Sequence, residues 1–365
     1  MRAKKTCFLL FGIMLISGCH QQSTLPVHEQ ASATVATPPV SICHSLNTLI
    51  QKIDNQSTIT ALEQVNQHIQ QCIPQLSFEE KKQLIYASTN MYQRFLATER
   101  TVEQQTAFEQ YAINNSTNPA MRQEYLSHFN ARDRYLIQHQ GEAFYELYDA
   151  GDGTIMYRRQ PNYLLKLFAP SLPEAERIFI ENLAQQNQVS IIANNNLDIS
   201  WSEISLRAQF WQNYIQHYPN SSFLDDAQRL KFKYAQFLFH GSNNFPVSSH
   251  YLGESDIYPE ALTEIKLLAT QNQLALGQQA QKFLQFIALS PEQRDQSIPV
   301  ELSAAEKRSE KSQLIKINKQ LDTYMKLYDP LALDSTHIAR DCLIDAICIT
   351  HAGKVANSLV GQTQY

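Results

Sequence analysis

The chain has 365 residues, enough for two or three domains by length, with a formal charge of −5 from 30 basic and 35 acidic side chains. Only 10 residues are glycine, well under the usual share of about 7%, so few positions can take positive φ for tight hairpins, phosphate loops or bulges. That weighs against sandwiches, barrels and nucleotide-binding α/β folds, whereas 39 glutamines and a hydrophobic fraction of 43% suit a helical protein with a real core.

The first element is a basic start, Arg2, Lys4 and Lys5, followed by the apolar run Cys7 to Ile16. This run is about half the roughly 20 residues that a bilayer-spanning helix needs, so it reads as the core of a secretory signal. It ends Leu15-Ile16-Ser17-Gly18-Cys19, which resembles the lipobox of bacterial lipoproteins. The resemblance implies cleavage after Gly18 and acylation of Cys19, first on its thiol and then on its new amine. Several acyl chains together anchor durably where one does not. His20 stands where Asp commonly marks inner-membrane retention in Gram-negative lipoproteins, so the resemblance implies an outer-membrane anchor; the expected orientation is toward the periplasm, with the cell exterior as the alternative. Loss of the signal leaves 27 basic against 35 acidic residues, a charge of −8. No basic block remains, and nucleic-acid binding has no electrostatic footprint.

The expected organisation is a signal over 1–18, a flexible Gln/Ser/Thr/Pro tether over 19–42 and a helical region over 43–140. A β-hairpin with helical-repeat-like sequence follows over 141–290, then a C-terminal helical region over 291–365. Helix starts are marked by capping-box patterns at Ser77/Glu80, Thr101/Gln104, Ser171/Glu174, Ser200/Glu203 and Ser303/Glu306, and by Ser290-Pro291-Glu292-Gln293. The patterning predicts helices near 44–54, 58–71, 77–97, 101–113, 118–138, 161–168, 173–187, 201–217, 222–239, 259–270, 274–289 and 303–328, with another over 336–347. In the 303–328 helix, Leu314, Ile317, Leu321, Tyr324 and Tyr328 form one apolar stripe. Between Glu142 and Arg159 two strand-like segments flank a Gly-containing turn. The fold class is therefore mainly α: helical hairpins in an irregular, repeat-like array with one β-hairpin. Residues 201–240, an aromatic helix end, Tyr218-Pro219-Asn220-Ser221 and a new start at Asp225-Asp226-Ala227, are similar to tetratricopeptide units of periplasmic lipoproteins.

Four cysteines remain in the mature chain: Cys43, Cys72, Cys342 and Cys348. An even number in an exported protein suggests two disulfides. Cys43 opens one predicted helix and Cys72 closes the next, so a helical hairpin brings them together. Cys342 and Cys348 need a turn, because six residues of straight helix span about 9 Å and a bridge needs Cα atoms within about 7 Å. Metal binding is the other reading, but there is no C-x-x-C pair.

No local catalytic motif is present, and no cofactor is implied. The richest polar stretch is 240–256, where His240, His250, Glu254 and Asp256 offer metal ligands or acid/base groups; the plainer reading is a capped, solvated connector. A second candidate is the face of the hairpin, where Tyr145, Tyr148, Tyr157, Arg158 and Arg159 would grip a partner protein or glycan. Its plainer reading has the rings covering helices and the arginines in water. Asp149 and Asp152 beside Gly153 faintly resemble a calcium loop that lacks its later acidic ligands. Trp201 and Trp211 suit core packing, or a ligand pocket against the hairpin. The sequence points to an accessory or scaffold protein of the cell envelope, held to the membrane by lipid and working through envelope proteins. A periplasmic hydrolase of an envelope polymer and a small-ligand-binding lipoprotein are the alternatives.

Overall fold

The computed structural model describes residues 40–113, 119–150, 155–193, 196–242, 244–330 and 340–350. Cys19 and the tether up to residue 39 lie outside these residues, as do the hairpin turn at 151–154 and the first four residues of the 336–347 segment. Helices α1 (Val40–Lys52), α2 (Ile59–Cys72), α3 (Phe78–Phe95) and α4 (Val102–Ile113) come first, then α5 (Pro119–Ser127) and α6 (Ala131–Gln138). The hairpin β1 (Tyr145–Asp149) and β2 (Ile155–Arg159) follows, with α7 (Asn162–Leu167) and α8 (Glu174–Gln186) after it. A short pair, β3 (Ile192–Ala193) and β4 (Asn196–Leu197), precedes α9 (Trp201–His217) and α10 (Leu224–His240). The remainder is α11 (Pro259–Ala269), α12 (Ala275–Ile287), α13 (Pro291–Ser297), α14 (Ala304–Arg308) and α15 (Ser312–Met325). The protein is mainly α with one β-hairpin. No helix among the described residues is long and apolar enough to cross a membrane.

Local chemistry accounts for most of the boundaries. Ser77/Glu80, Ser290/Gln293 and Ser303/Glu306 each form both bonds of a capping box, and Thr101/Gln104 does the same at 3.0 and 3.3 Å. At Ser200 only the serine side is made, because Glu203 turns to Arg207 at 2.6 Å. Ser171 ends a 3₁₀ turn instead of capping α8, and its carbonyl accepts from Lys81 Nζ at 2.9 Å. The predicted 118–138 helix is broken because Asn130 caps α6, accepting from the Asp133 amide at 2.7 Å. The predicted 303–328 helix breaks at Ser309, whose backbone is extended and whose hydroxyl accepts from Lys311 N–H at 3.2 Å. Its apolar stripe is correspondingly shorter: Leu321 is buried with Met325, but Tyr328 lies past the helix end and is exposed.

Leu46, Ile50, Ile53, Ile59, Leu62, Val65 and Ile69 bury the facing stripes of α1 and α2. The Cys43–Cys72 disulfide, with Cα atoms 5.6 Å apart, ties the start of this helical hairpin to its end. In the middle of the chain, Ile204, Ala208 and Trp211 of α9 join Ala227, Leu230 and Tyr234 of α10 in the core. Trp211 is fully buried, with its ring 5.1 Å from Phe179 and its Nε1–H donating to Gln186 at 3.0 Å.

Residues 340–350 overturn the helix expected over 336–347. They form a loop closed by paired backbone bonds between Asp341 and Ile349 (2.8 and 2.7 Å) and by the Cys342–Cys348 disulfide. Ile344, Asp345, Ala346, Ile347 and Cys348 are all buried, so the segment is a plug. Asn187, at the end of α8, donates to the Cys342 and Asp345 carbonyls, the former at 2.8 Å. Arg340 clasps Asp226 of α10 at 2.9 and 2.7 Å.

Candidate binding groove beside α9 and α11

The hairpin candidates converge, but inward. Strand pairing sets Tyr145 opposite Arg159, Glu146 opposite Arg158 and Leu147 opposite Tyr157. Tyr145 is fully buried and donates to the Leu136 carbonyl at 2.7 Å; Tyr148 and Tyr157 are also buried. Burial pushes all three phenol groups upward, Tyr145 and Tyr157 furthest. The arginines are not in water. Arg159 bonds Asp345 of the plug at 2.9 Å and the hydroxyls of Ser88 and Thr89 at 3.0 and 2.9 Å. Arg158 pairs with Glu146 at 2.7 Å, covers the Tyr148 ring and donates to the Ile344 carbonyl. Burial pushes the Asp345 carboxyl upward, while the Arg159 guanidinium and the Ala346 amide pull it back. Every hydrogen-bonding group of this cluster has an internal partner, which is the condition for burying charge at all. Of the faint calcium-loop resemblance, Asp149 is exposed at the end of β1, and Asp152 and Gly153 lie outside the described residues.

The 240–256 candidates separate. His240 Nε2 meets Asp322 of α15 at 2.7 Å. Glu254 pairs with Lys266 of α11 at 2.6 Å. Asp256 accepts from the Ser248 hydroxyl at 2.6 Å and the Leu252 amide at 3.1 Å, while His250 is exposed and 3.9 Å away. Burial raises the Asp256 carboxyl, but those hydrogen bonds outweigh it and hold the group below its ordinary range. A general acid needs the opposite shift. Below the loop, Arg294 of α13 is buried against Phe286 and donates to the His250 and Tyr251 carbonyls. With Val247, Tyr251 and Ile257 also buried, the stretch is a packed structural loop.

That packing shapes a groove. Tyr258 N–H bonds the Val247 carbonyl at 2.9 Å, which sets the Tyr258 ring 4.8 Å from Phe245 and 5.9 Å from Trp201. These three aromatics, with Leu197 and Ile199, wall a cavity of about 610 Å³. Such a volume is typical of sites for small molecules or single side chains. Its other lining comprises Ser200 and Ser202 at the start of α9, and Glu260, Thr263 and Glu264 of α11. Among the described residues neither Glu260 nor Glu264 has a basic side chain within ion-pair distance, and Lys266 is taken by Glu254. Of these residues the sequence singled out Trp201, and Phe245 only as part of the 240–256 stretch. The pocket does not involve the hairpin. A signal was nonetheless present: Glu260 and Glu264 sit at i and i+4 on one helix, where like charges repel by a few tenths of a kcal/mol.

Both expected disulfides are present, Cys43–Cys72 and Cys342–Cys348. The Asp226 carboxylate and the Cys342 and Cys348 sulfurs lie within 4.8 Å of one another. That cluster is already used: the sulfurs bond each other and Arg340 holds the carboxylate. No family model, curated protein or solved structure matches the chain.

Proposed function

We propose that the protein is a lipid-anchored component of the bacterial cell envelope that acts by binding a partner protein. The lipobox at Cys19, followed by a polar tether and a disulfide-bonded body, supports an exported, membrane-held protein. The observation that carries the binding role is a contrast. Of the acid/base candidates of the 240–256 loop, His240, Glu254 and Asp256 are tied to structural partners and His250 stands exposed, while the groove beside them keeps aromatic walls and, among the described residues, two carboxylates without a basic partner. Chemistry would need the reverse arrangement.

A photo-crosslinking residue at Ser202, in the full-length protein and in a Cys19→Ala variant, tests this in intact cells. One or a few envelope proteins crosslinked only in the lipidated form are expected. Crosslinks to glycan or lipid alone would overturn the reading. A hydrolase reading makes a separate expectation: Glu254→Gln or Asp256→Asn would abolish an activity on envelope polymers with little change in Tm.

A further inference from the structure

The groove has a chemical character that narrows its partner. Its floor is aromatic and aliphatic, from Trp201, Phe245, Tyr258 and Ile199, and one side is α11 with Glu260 and Glu264. An aromatic ring face attracts a cation through its quadrupole, most strongly for tryptophan. Two carboxylates without basic partners add Coulomb attraction that neither an anion nor a neutral group can use. The fractional positive charge at the start of α9 is opposed by Glu203 in its own first turn.

Two exposed leucines lie one helical step beyond the residues that line the cavity. Leu206 lies four residues after Ser202 on α9 and Leu267 three after Glu264 on α11, a spacing that turns each toward the same side of its helix as the lining residue. Both leucines are 57% exposed, so a small ligand filling the cavity would leave them wet. An occupant that covers both must extend about one helical turn, near 5 Å, past the cavity. A chain segment does this and a lone organic cation does not.

We propose that this groove docks an apolar segment of a partner protein that carries lysine or arginine, with its basic side chains between Trp201, Tyr258, Glu260 and Glu264. The spacing sharpens the pattern. Side chains at i and i+4 of a helix stand about 5–6 Å apart, and alternate residues of an extended chain about 6–7 Å apart. A Lys-x-Lys segment in extended form therefore meets both carboxylates while its intervening side chains turn to the opposite side. This assignment rests on the contact reading above and names the chemistry of that contact.

The test uses the intact mature protein and the probe acetyl-Leu-Lys-Leu-Lys-Leu-amide, followed by Trp fluorescence and calorimetry. Two analogues replace both lysines by glutamine or by glutamate. Binding of the lysine peptide about tenfold or more tighter than the glutamine peptide is expected, with the glutamate peptide weaker still. In a Glu260→Gln/Glu264→Gln variant the lysine and glutamine peptides should bind alike. Equal binding to the wild type, no detectable binding, or a lysine preference that survives in the variant would each overturn the proposal. n-Butylammonium is a further arm: binding of this amine with none of the peptide would make the groove a small-cation site and sink the peptide assignment. Because the peptide assay needs no cellular partner, it can fail while crosslinking from Ser202 succeeds, and the reverse.

Discussion

The hairpin junction and the α9–α11 groove are built from the same side-chain types, aromatic rings beside formal charges, and use them in opposite ways. At the junction, Arg158 and Arg159 are 6% and 4% exposed and every charge is answered from inside the protein. At the groove, Phe245 and Tyr258 are only part-covered over a buried Trp201, and among the described residues Glu260 and Glu264 pair with no cation. The difference teaches that residue type does not separate structure from recognition; whether the desolvated or neighbouring charge has an internal partner does. Tyr and Arg in a strand looked like a gripping surface, and they turn out to hold the hairpin to α3 and the plug.

The comparison breaks most easily at the junction. Asp345→Ala leaves the Arg159 guanidinium buried without its carboxylate, and a loss of about 3–5 kcal/mol is expected in denaturant unfolding. Arg159→Met with Asp345→Leu should recover much of it, since the pair is then removed whole. If Asp345→Ala is silent, the junction is not the structural half of the contrast. Removing Cys43–Cys72 should cost about 3–4 kcal/mol, and the shorter Cys342–Cys348 loop about 2 kcal/mol, by the loop-length relation; calorimetric Tm values rank the two. Groove changes should behave differently. Leu206→Glu and Leu267→Glu lie on exposed positions, so stability should move by no more than about 0.5 kcal/mol while binding of the lysine peptide falls. The smallest effect concerns pH. Lys319, and next the Ser303 amide, hold the Glu306 carboxyl down to about 2 from an ordinary value near 4.5. A carboxyl lowered by folding stabilises fully above its unfolded value and loses that contribution as pH falls toward about 2. Amide exchange in α14 should therefore quicken between pH 5 and 2, and Glu306→Gln should flatten that change.

Much of the fold was legible where the cause is local. Ser77, Ser290 and Ser303 announce their helices because the capping groups lie three residues apart. The bend at Asn130 was less readable, since Asn suits a helix cap only if the chain chooses to stop there. The plug was illegible for a physical reason: Arg159 and Asp345 are separated by 186 residues, and no window of sequence contains both. The groove fails in the same way, its walls coming from three separate stretches, 197–202, Phe245 and 258–264. Trp201 and the unrelieved Glu260/Glu264 repeat were its hints in the sequence.

The plug has a consequence for how the molecule comes into being. Synthesis delivers the chain amino end first, so α3, the hairpin and α8 emerge long before residues 340–350. Until then Arg159 has hydroxyl partners but lacks Asp345, Asn187 lacks the plug carbonyls, and Asp226 lacks the clasp of Arg340. The last-arriving segment thus acts as a keystone that locks an arch already standing loosely, and completeness of the chain becomes a condition of rigidity in its middle. A chain ending at Pro330 should show this directly: limited proteolysis is expected to cut first around the hairpin, some 170 residues from the missing piece by the separation of Arg159 and Pro330.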